Sequence, residues 1–314
     1  MLLGPYSLEA ARGAPSFSAR RFEPVHEDQS LEGSDLKPPR QTQPHQPMSA
    51  SAYALLQKIA PLGTGTFAHR ELWTTLAHID LKNRYRGSLL GPFWLTLATG
   101  VLIGGIGLLY GGLFGHPLSL YLPYVAVSIV IWTFIATTLT EASNLFLGEG
   151  IVLKQLPVPA SLFITRLIYR NILVLAHNAI IMLIVLVAFP QSWSLSLLLL
   201  PLGLAILILN LWWLAVVISI VSARFRDIPP IVASLLQILF FLTPVIWRKE
   251  DLPGRAILVD LNPFYHLIEI VRAPILGAPV PTISFIVCSL AAILGTLFAL
   301  HVRKWAATRL VYWI

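Results

Sequence analysis

The chain contains Leu195-Ser-Leu-Leu-Leu-Leu-Pro-Leu-Gly-Leu-Ala-Ile-Leu-Ile-Leu-Asn-Leu-Trp-Trp-Leu-Ala-Val-Val-Ile-Ser-Ile-Val221, a stretch in which no residue carries a charge. As a helix rising about 1.5 Å per residue, it can cross the roughly 30 Å hydrocarbon core of a bilayer. Apolar residues make up 56% of the 314 residues, and the charged 12% lie mainly between apolar blocks. The sequence therefore predicts an all-α membrane protein with six transmembrane helices. The predicted spans are Pro92–Phe114, Tyr121–Leu139, Ile172–Phe189, Leu195–Val221, Ile231–Trp247 and Thr282–Leu300.

Residues 91–303 are expected to form this six-span domain, and residues 304–314 a cytoplasmic C terminus. Residues 1–65 are rich in Pro, Gln and Ser, so they cannot bury enough apolar surface to offset the entropy of ordering. They are predicted to be a disordered cytoplasmic tail, or an artefact of start-site choice if translation begins at Met48. No secretory signal peptide is recognised, so the first span is expected to act as an uncleaved targeting signal.

Residues 66–90 are predicted to hold an amphipathic helix that runs from Phe67 to Arg86. Its apolar and polar residues recur at helical spacing, with a tryptophan at the boundary and cations beside it. We expect this helix to lie in the cytoplasmic interface of the membrane; an ordinary soluble helix is the alternative. Its apolar face holds Leu72, Trp73, Leu76 and Ile79, and its polar face Glu71, Thr75, His78, Lys82 and Arg86.

The distribution of cations predicts the orientation of the spans. Lys and Arg precede span one, follow span six, and lie between spans two and three and between spans four and five. The opposing turns at 115–120 and 190–194 contain none. The positive-inside rule then places both termini in the cytoplasm. The flanking cations are Arg70, Lys82, Arg84, Arg86, Lys154, Arg166, Arg170, Arg224, Arg226, Arg303, Lys304 and Arg309.

The outer loop from Arg248 to Pro281 is predicted to contain a helix of its own. Asn262 is a good helix cap, and Pro263 suits the first helical position. The apolar face that follows is too short to cross a bilayer. We therefore expect a re-entrant or interfacial helix between spans five and six. Its apolar face holds Phe264, Leu267, Ile268, Val271 and Ile275, opposite His266, Glu269 and Arg272.

Composition also argues against several functions. The net charge of +7 comes from cations that flank apolar segments, so nucleic acid is not expected as a partner. No lysine follows a glycine, which excludes a G-x-x-x-x-G-K-[ST] phosphate loop. The scattered histidines and the single cysteine, Cys288, indicate no metal site. We expect no catalytic residues and no cofactor in this chain, so any energy for transport must come from a partner or an ion gradient.

A few polar and aromatic residues lie inside the predicted spans. Asn178, Asn210 and Gln237 are best explained by interhelical hydrogen bonds, with pathway lining as the alternative. Deep aromatic rings are either lipid-facing bulk or surfaces that stack on sugar rings in a glycan conduit. The conduit candidates are Tyr110, Trp132, Trp212 and Trp213.

The predicted inner loop Glu141–Arg170 contains Glu149-Gly-Ile-Val-Leu-Lys-Gln-Leu-Pro-Val-Pro159, a short helical piece that prolines end. It is either an ordinary connection or a docking element for a cytoplasmic motor.

Five segments of the chain resemble motifs of the permeases of type-2 ABC exporters of polysaccharides, and they occur in the same order as in that family. The family includes O-antigen, capsule and teichoic acid exporters. The resemblance covers about residues 67–310, and its specificity comes from the conjunction of the segments. The segments are Asp80-Leu-Lys-Asn-Arg-Tyr-Arg-Gly-Ser-Leu-Leu-Gly-Pro-Phe-Trp94, Ile151-Val-Leu-Lys-Gln-Leu-Pro-Val-Pro159, Phe225-Arg-Asp-Ile-Pro229, Leu242-Thr-Pro-Val-Ile246 and Asn262-Pro-Phe-Tyr through Arg272.

The resemblance implies a homodimeric permease of the bacterial inner membrane that pairs with two separate ATPase subunits, which would carry the ATP and Mg²⁺. It would move lipid-linked glycans from the inner to the outer leaflet. The implied entrance residues are Trp73, Lys82, Arg84, Tyr85 and Arg86. The implied ATPase-coupling residues are Glu149, Lys154, Gln155, Pro157 and Pro159, and the implied exit helix carries Asn262, Pro263, His266, Glu269 and Arg272.

Two other functions remain open on the sequence. The same scaffold could export a drug or a small lipid, because nothing in the sequence identifies the substrate directly. An ion-driven secondary transporter, or a scaffold without transport, is the other class. Secondary transporters often carry paired intramembrane charges and repeated halves, and the sequence shows neither.

Overall fold

The computed structural model describes residues 70–84, 93–155, 159–192, 194–251, 254, 256–307 and 309–314. Within these ranges every regular element is helical, and the predicted all-α membrane class is confirmed. The predicted tail over residues 1–65 lies outside the described residues. The α-helices are α1 (Arg70–Arg84), α2 (Phe93–Phe114), α3 (Leu118–Gly148), α4 (Gly150–Gln155), α5 (Ala160–Ala188), α6 (Leu200–Arg224), α7 (Ile228–Leu242), α8 (Ala256–Asp260), α9 (Pro263–Ile275), α10 (Thr282–Ala306) and α11 (Leu310–Trp313). Two short 3-10 helices, Leu195–Leu199 and Lys249–Asp251, lie between them.

Five helices in the described ranges, α2, α3, α5, α6 and α10, are long and apolar enough to cross a membrane. The predicted fifth span, Ile231–Trp247, corresponds to α7, which has 15 residues. At about 1.5 Å per residue it measures about 22 Å, less than the roughly 30 Å of hydrocarbon. After Leu242 the chain forms a non-helical segment that ends at Arg248.

Two helix boundaries differ most from the prediction. α3 extends to Gly148 instead of Leu139, and α5 begins at Ala160 instead of Ile172. The predicted loop Glu141–Arg170 is therefore wrong over most of its length. Charged residues end an apolar window, but they need not end a helix when they pair with charges on neighbouring helices. The short helix α4 occupies what remains of the connection.

α3 is the central helix of the bundle. Every residue from Tyr124 to Trp132 is buried, which is the pattern of a helix surrounded by protein on all sides. It packs against α2, α5, α6, α7 and α9. α5 and α10 instead expose apolar side chains such as Ile184 and Leu294, as expected of helices that face lipid.

The bundle has two ends, which we name by their elements. The proximal end holds α1, α4, α11, the last turn of α3 and the first turns of α5. The distal end holds α8, α9 and the turn at Gly115, where φ is +67° and a residue with a side chain would be strained. α9 packs against α3, α6 and α10 at the distal end.

α9 begins as the sequence predicts, with the Asn262 side chain accepting a hydrogen bond from the Phe264 amide at 2.9 Å. Its predicted apolar face is largely buried. Two residues of the opposite, polar face, His266 and Arg272, are buried as well. α9 is therefore buried on both its apolar and its polar face, whereas a helix on the bundle surface would be buried on one face only.

Candidate functional site

A bidentate ion pair joins α1 to α5 at the proximal end. Nε and Nη2 of Arg166 donate to the two carboxylate oxygens of Asp80, each at 2.6 Å. Nη1 of the same guanidinium donates to Glu149 at 3.2 Å, directly before α4. The Arg166 and Asp80 side chains are each 17% exposed. Because a guanidinium fork fixes orientation as well as distance, these contacts hold α1 and the start of α4 to the same point on α5.

A second arginine, one turn further along α5, adds α3 to this arrangement. Nη2 of Arg170 donates to Glu141 at 2.7 Å, and its Nη1 lies 3.5 Å from Asp80. The Asn171 amide donates to the same oxygen of Glu141 at 2.9 Å. We call Asp80, Glu141, Glu149, Arg166 and Arg170 the proximal ion-pair network. Its three carboxylates outnumber its two guanidinium groups.

α1 is also held against α5 by aromatic contacts. The Trp73 ring packs edge-on against the Tyr169 ring, with ring centroids 5.2 Å apart. The centroid of the His78 ring lies 5.7 Å from the centroid of the Tyr169 ring. Lys82, also predicted at the entrance, is exposed. The side chain of Arg84 and all of Tyr85 and Arg86 lie outside the described residues.

The predicted coupling residues lie on and beside α4. Glu149 precedes the helix and belongs to the proximal ion-pair network. Nζ of Lys154 donates to the backbone oxygen of Ile314, and Gln155 is exposed. Pro159 precedes the first residue of α5, whereas Pro157 lies outside the described residues. The structure thus brings Glu149 and Lys154 to one short helix, and the role of that helix stays a prediction.

A cleft of about 330 Å³ opens beside the proximal ion-pair network. It gives Glu141, Glu149 and Arg170 access to the protein surface. Thr140, Asn144, Leu145, Gly148 and Leu167 complete its lining.

At the distal end, Arg272 of α9 lies inside the bundle with only 4% of its surface exposed. Its Nη1 donates to Ser128 Oγ at 2.9 Å and to the Pro244 carbonyl at 2.7 Å, and its Nε donates to Glu269 at 3.0 Å. Its guanidinium carbon lies 4.3 Å from the ring centroid of Tyr124. The Glu269 carboxylate, 2.5 Å from Nη2, supplies the counter-charge for this buried guanidinium.

Two more predicted exit residues connect α9 to its surroundings. The Asn262 amide donates to Thr243 Oγ1 at 2.9 Å, just after α7. The His266 ring lies between Ser284 of α10 and the Asp260 carbonyl, at 2.8 Å from each. Pro263 is the first residue of α9. Together with Arg272, these contacts connect α9 to α3, α10 and the segment after α7.

The predicted conduit aromatics do not share one set of neighbours. Trp132 packs against Phe240 and Phe264, with ring centroids 5.7 and 6.0 Å away. Nε1 of Trp213 donates to Asn210 at 3.0 Å, and its indole covers Gly295 of α10. The ring centroids of Tyr110 and Phe114 are 6.0 Å apart. Trp212 is half-buried. Trp132 and Trp213 therefore have packing partners within the chain, and a conduit role for the four stays a prediction.

Sequence reasoning missed most of the proximal ion-pair network as a site. On the sequence, Arg166 and Arg170 are cations that set orientation, and Asp80 is only the first residue of a motif. Their spacing of four residues was the available signal, because it places both guanidinium groups on one face of a helix. The partners on α1 and α3 are far away in sequence, so spacing alone could not identify them.

Comparison with known proteins gives two findings. Residues 71–276 match the family described as ABC-2 type transporter. The chain is 24% identical over 210 residues to the O-antigen export system permease protein RfbA of Myxococcus xanthus. This match covers 66% of this chain and 81% of the relative. Two relatives from Klebsiella pneumoniae with the same description are 21% and 19% identical over 207 and 211 residues. Each of those two matches covers 63% of this chain and 77% of the relative.

Proposed function

Because this chain belongs to the ABC-2 type transporter family, we propose that it is the permease subunit of an ABC exporter that moves lipid-linked O-antigen polysaccharide across the bacterial inner membrane. The chain is a multi-pass membrane protein and a transport component. The observation that supports O-antigen as the substrate is the similarity of this chain, over about two thirds of its length, to three O-antigen export permeases.

The proposed topology has six membrane crossings, with the proximal end and both termini in the cytoplasm. Arg166, Arg170, Arg224, Arg303 and Lys304 all lie at proximal helix ends, which supports this orientation through the positive-inside rule. α7 provides the sixth crossing. Since α7 is short, the segment after it and α9 would complete the outer half of the passage.

A separate ATPase subunit would supply the energy, and α4 would be the helix on which it acts. A displacement of α4 moves Glu149, and the Glu149–Arg166–Asp80 contacts transmit that movement to α1. Charge-assisted bidentate hydrogen bonds suit this task because they resist both sliding and rotation. The ATPase stroke would thus reach α1, which we place at the cytoplasmic entrance together with Trp73 and Lys82.

The distal residues would shape the exit. Asn262, His266 and Arg272 connect α9 to three other parts of the bundle, so α9 can move only if those parts move with it. An exit helix connected in this way would respond to rearrangement of α3 and α10 during transport.

We propose that the working unit is a homodimer with two ATPase subunits. α7 exposes Gln237 and Ser234, and a polar side chain facing lipid is unfavourable unless a neighbouring helix bonds it. On α2, Gly105 and Gly112 lie seven residues apart, and among the described residues nothing would contact a Cβ at either position. A second copy packed on α2 and α7 would cover both features.

The proposal is tested by co-expressing the tagged chain with its cognate ABC ATPase subunit and purifying the tagged chain in mild detergent. We expect the ATPase to co-purify at one copy per permease, with ATP hydrolysis that stops when its Walker A lysine is replaced. A chain that purifies without any ATPase and transports an ion-coupled substrate in vesicles would contradict the proposal.

A further inference from the structure

The helix α4 is held on two sides by parts of the chain that are distant in sequence. On one side, Glu149 pairs with Arg166 of α5. On the other side, Lys154 donates a hydrogen bond to the backbone oxygen of Ile314. Between these contacts, Leu153 is buried in the core. Lys154 and Gln155 leave much of their surface exposed, as a partner subunit would require.

The contact with Ile314 is close enough to require a glycine. A Cβ added to Gly150 would overlap Cγ2 of Ile314. Gly150 is buried and is not among the positive-φ glycines, so its backbone conformation suits any residue. The missing side chain at position 150 therefore makes room for Ile314 and is not required by the backbone.

The segment that carries Ile314 has contacts that fix its own position. Leu310 is buried, and Trp313 packs against Trp305 of α10 with ring centroids 5.4 Å apart. Arg309 lies over the same Trp305 ring at 4.6 Å. The neighbouring Tyr312, in contrast, is 86% exposed. A fixed segment can serve as a support for α4, whereas a freely moving one could not.

We propose that Ile314 is a positioning residue for α4, and that the segment Leu310–Ile314 holds α4 at the distance from the bundle at which the ATPase subunit binds it. This inference rests on the proposed function, since it takes α4 as the ATPase-contacting helix. Ile314 supports the first turn of α4 through Gly150, and its backbone oxygen holds the last turn through Lys154. Displacing Ile314 would tilt α4 and misplace Lys154 and Gln155.

The test compares Gly150→Ala with Gly148→Ala in the full chain co-expressed with its cognate ATPase. The methyl group at 150 must displace Ile314, whereas among the described residues nothing lies within 4 Å of a Cβ at 148. Alanine is also a better helix former than glycine, so a loss cannot come from a weaker α4. We expect about fivefold less ATPase per purified permease for Gly150→Ala, and no change for Gly148→Ala.

A size exchange separates positioning from general damage. Ile314→Ala should lower the ATPase content, because it removes the support, and combining it with Gly150→Ala should restore part of the loss. Tyr312→Ala changes the same segment at an exposed side chain and should behave like the parent. Permease yield and melting temperature should stay at parental values in all these variants.

The outcomes distinguish this inference from the proposed function. If the parent binds the ATPase and Gly150→Ala binds it equally well, the positioning role is wrong and the proposed function stands. A loss in Tyr312→Ala as large as that in Ile314→Ala would also overturn the positioning role, because it would indicate direct contact by the segment. If the parent itself binds no ATPase, the proposed function fails first.

Discussion

At the residue scale, Arg166 is the side chain on which the proposed transmission depends. It contacts Asp80 through two nitrogens and Glu149 through a third, so one guanidinium joins three segments. A lysine ammonium at this position would keep the charge but could not present a planar fork. The geometry of the contact, more than its charge, is therefore the feature to test.

We predict that Arg166→Lys lowers glycan export about tenfold, the equivalent of about 1.4 kcal/mol, because it replaces a bidentate contact by a single one. Surface glycan measured per permease in the membrane checks this. Arg70→Lys, at an exposed position on α1, serves as the matched control and should export normally. Equal export by both variants would remove Arg166 from the transmission path.

Arg272 calls for a stability measurement. Arg272→Met leaves the Glu269 carboxylate without its partner in a largely buried position, and breaking such a pair costs about 3 kcal/mol. We expect the purified protein to melt at a clearly lower temperature in detergent. Glu250→Gln, which changes a carboxylate that is 74% exposed near the same end, should melt like the parent. A parental melting temperature for Arg272→Met would show that the contacts of Arg272 contribute little.

At the element scale, the sequence predicted most helices and misplaced those boundaries where charges are paired. The cap at Asn262-Pro263 predicted α9, and the apolar blocks predicted the long spans. Both predictions were possible because capping and hydropathy are local properties of the sequence. The extension of α3 past Glu141 and of α5 back to Ala160 depends on pairing between helices, which a sequence window does not contain. The sequence did not predict the burial of Arg272 for a similar reason. Periodicity assigns a residue to one face of a helix, but it does not show which other element packs against that face.

The packing of α6 against α10 gives an element-scale prediction. A methyl group in Gly295→Ala would overlap the Trp213 indole, so the two helices would have to separate or the indole would have to rotate away from Asn210. We expect destabilisation of about 2 kcal/mol, measured as a lower melting temperature. Adding Trp213→Leu should make room and recover part of the loss. A double variant no more stable than Gly295→Ala would argue against this contact as the cause.

At the scale of the whole molecule, the homodimer gives the next prediction. Gln237→Leu should lower the dimer fraction in membranes about fivefold, because it removes an exposed polar side chain that the second copy would bond in the proposed dimer. Crosslinking of the permease in membranes measures the fraction. Leu235→Ala changes an exposed residue on another face of α7 and is the control. A dimer fraction unchanged by Gln237→Leu would move the interface away from this face of α7.

Function was predictable at this scale from the ordered series of motifs, and the family match over residues 71–276 agrees with it. The substrate was less accessible to sequence reasoning, because the aromatic residues suggested for a conduit carry the same signal as ordinary packing. Trp213 illustrates this: its ring lies over Gly295, where the sequence alone allowed either role.

The central claim is tested most directly by deleting the gene and measuring where the lipid-linked O-antigen polymer accumulates. We predict loss of surface polymer and build-up of lipid-linked polymer inside the deletion strain, reversed by this chain together with an active ATPase subunit but not with an ATPase that cannot hydrolyse ATP. Unchanged surface polymer in the deletion strain, or full reversal with the inactive ATPase, would contradict the account.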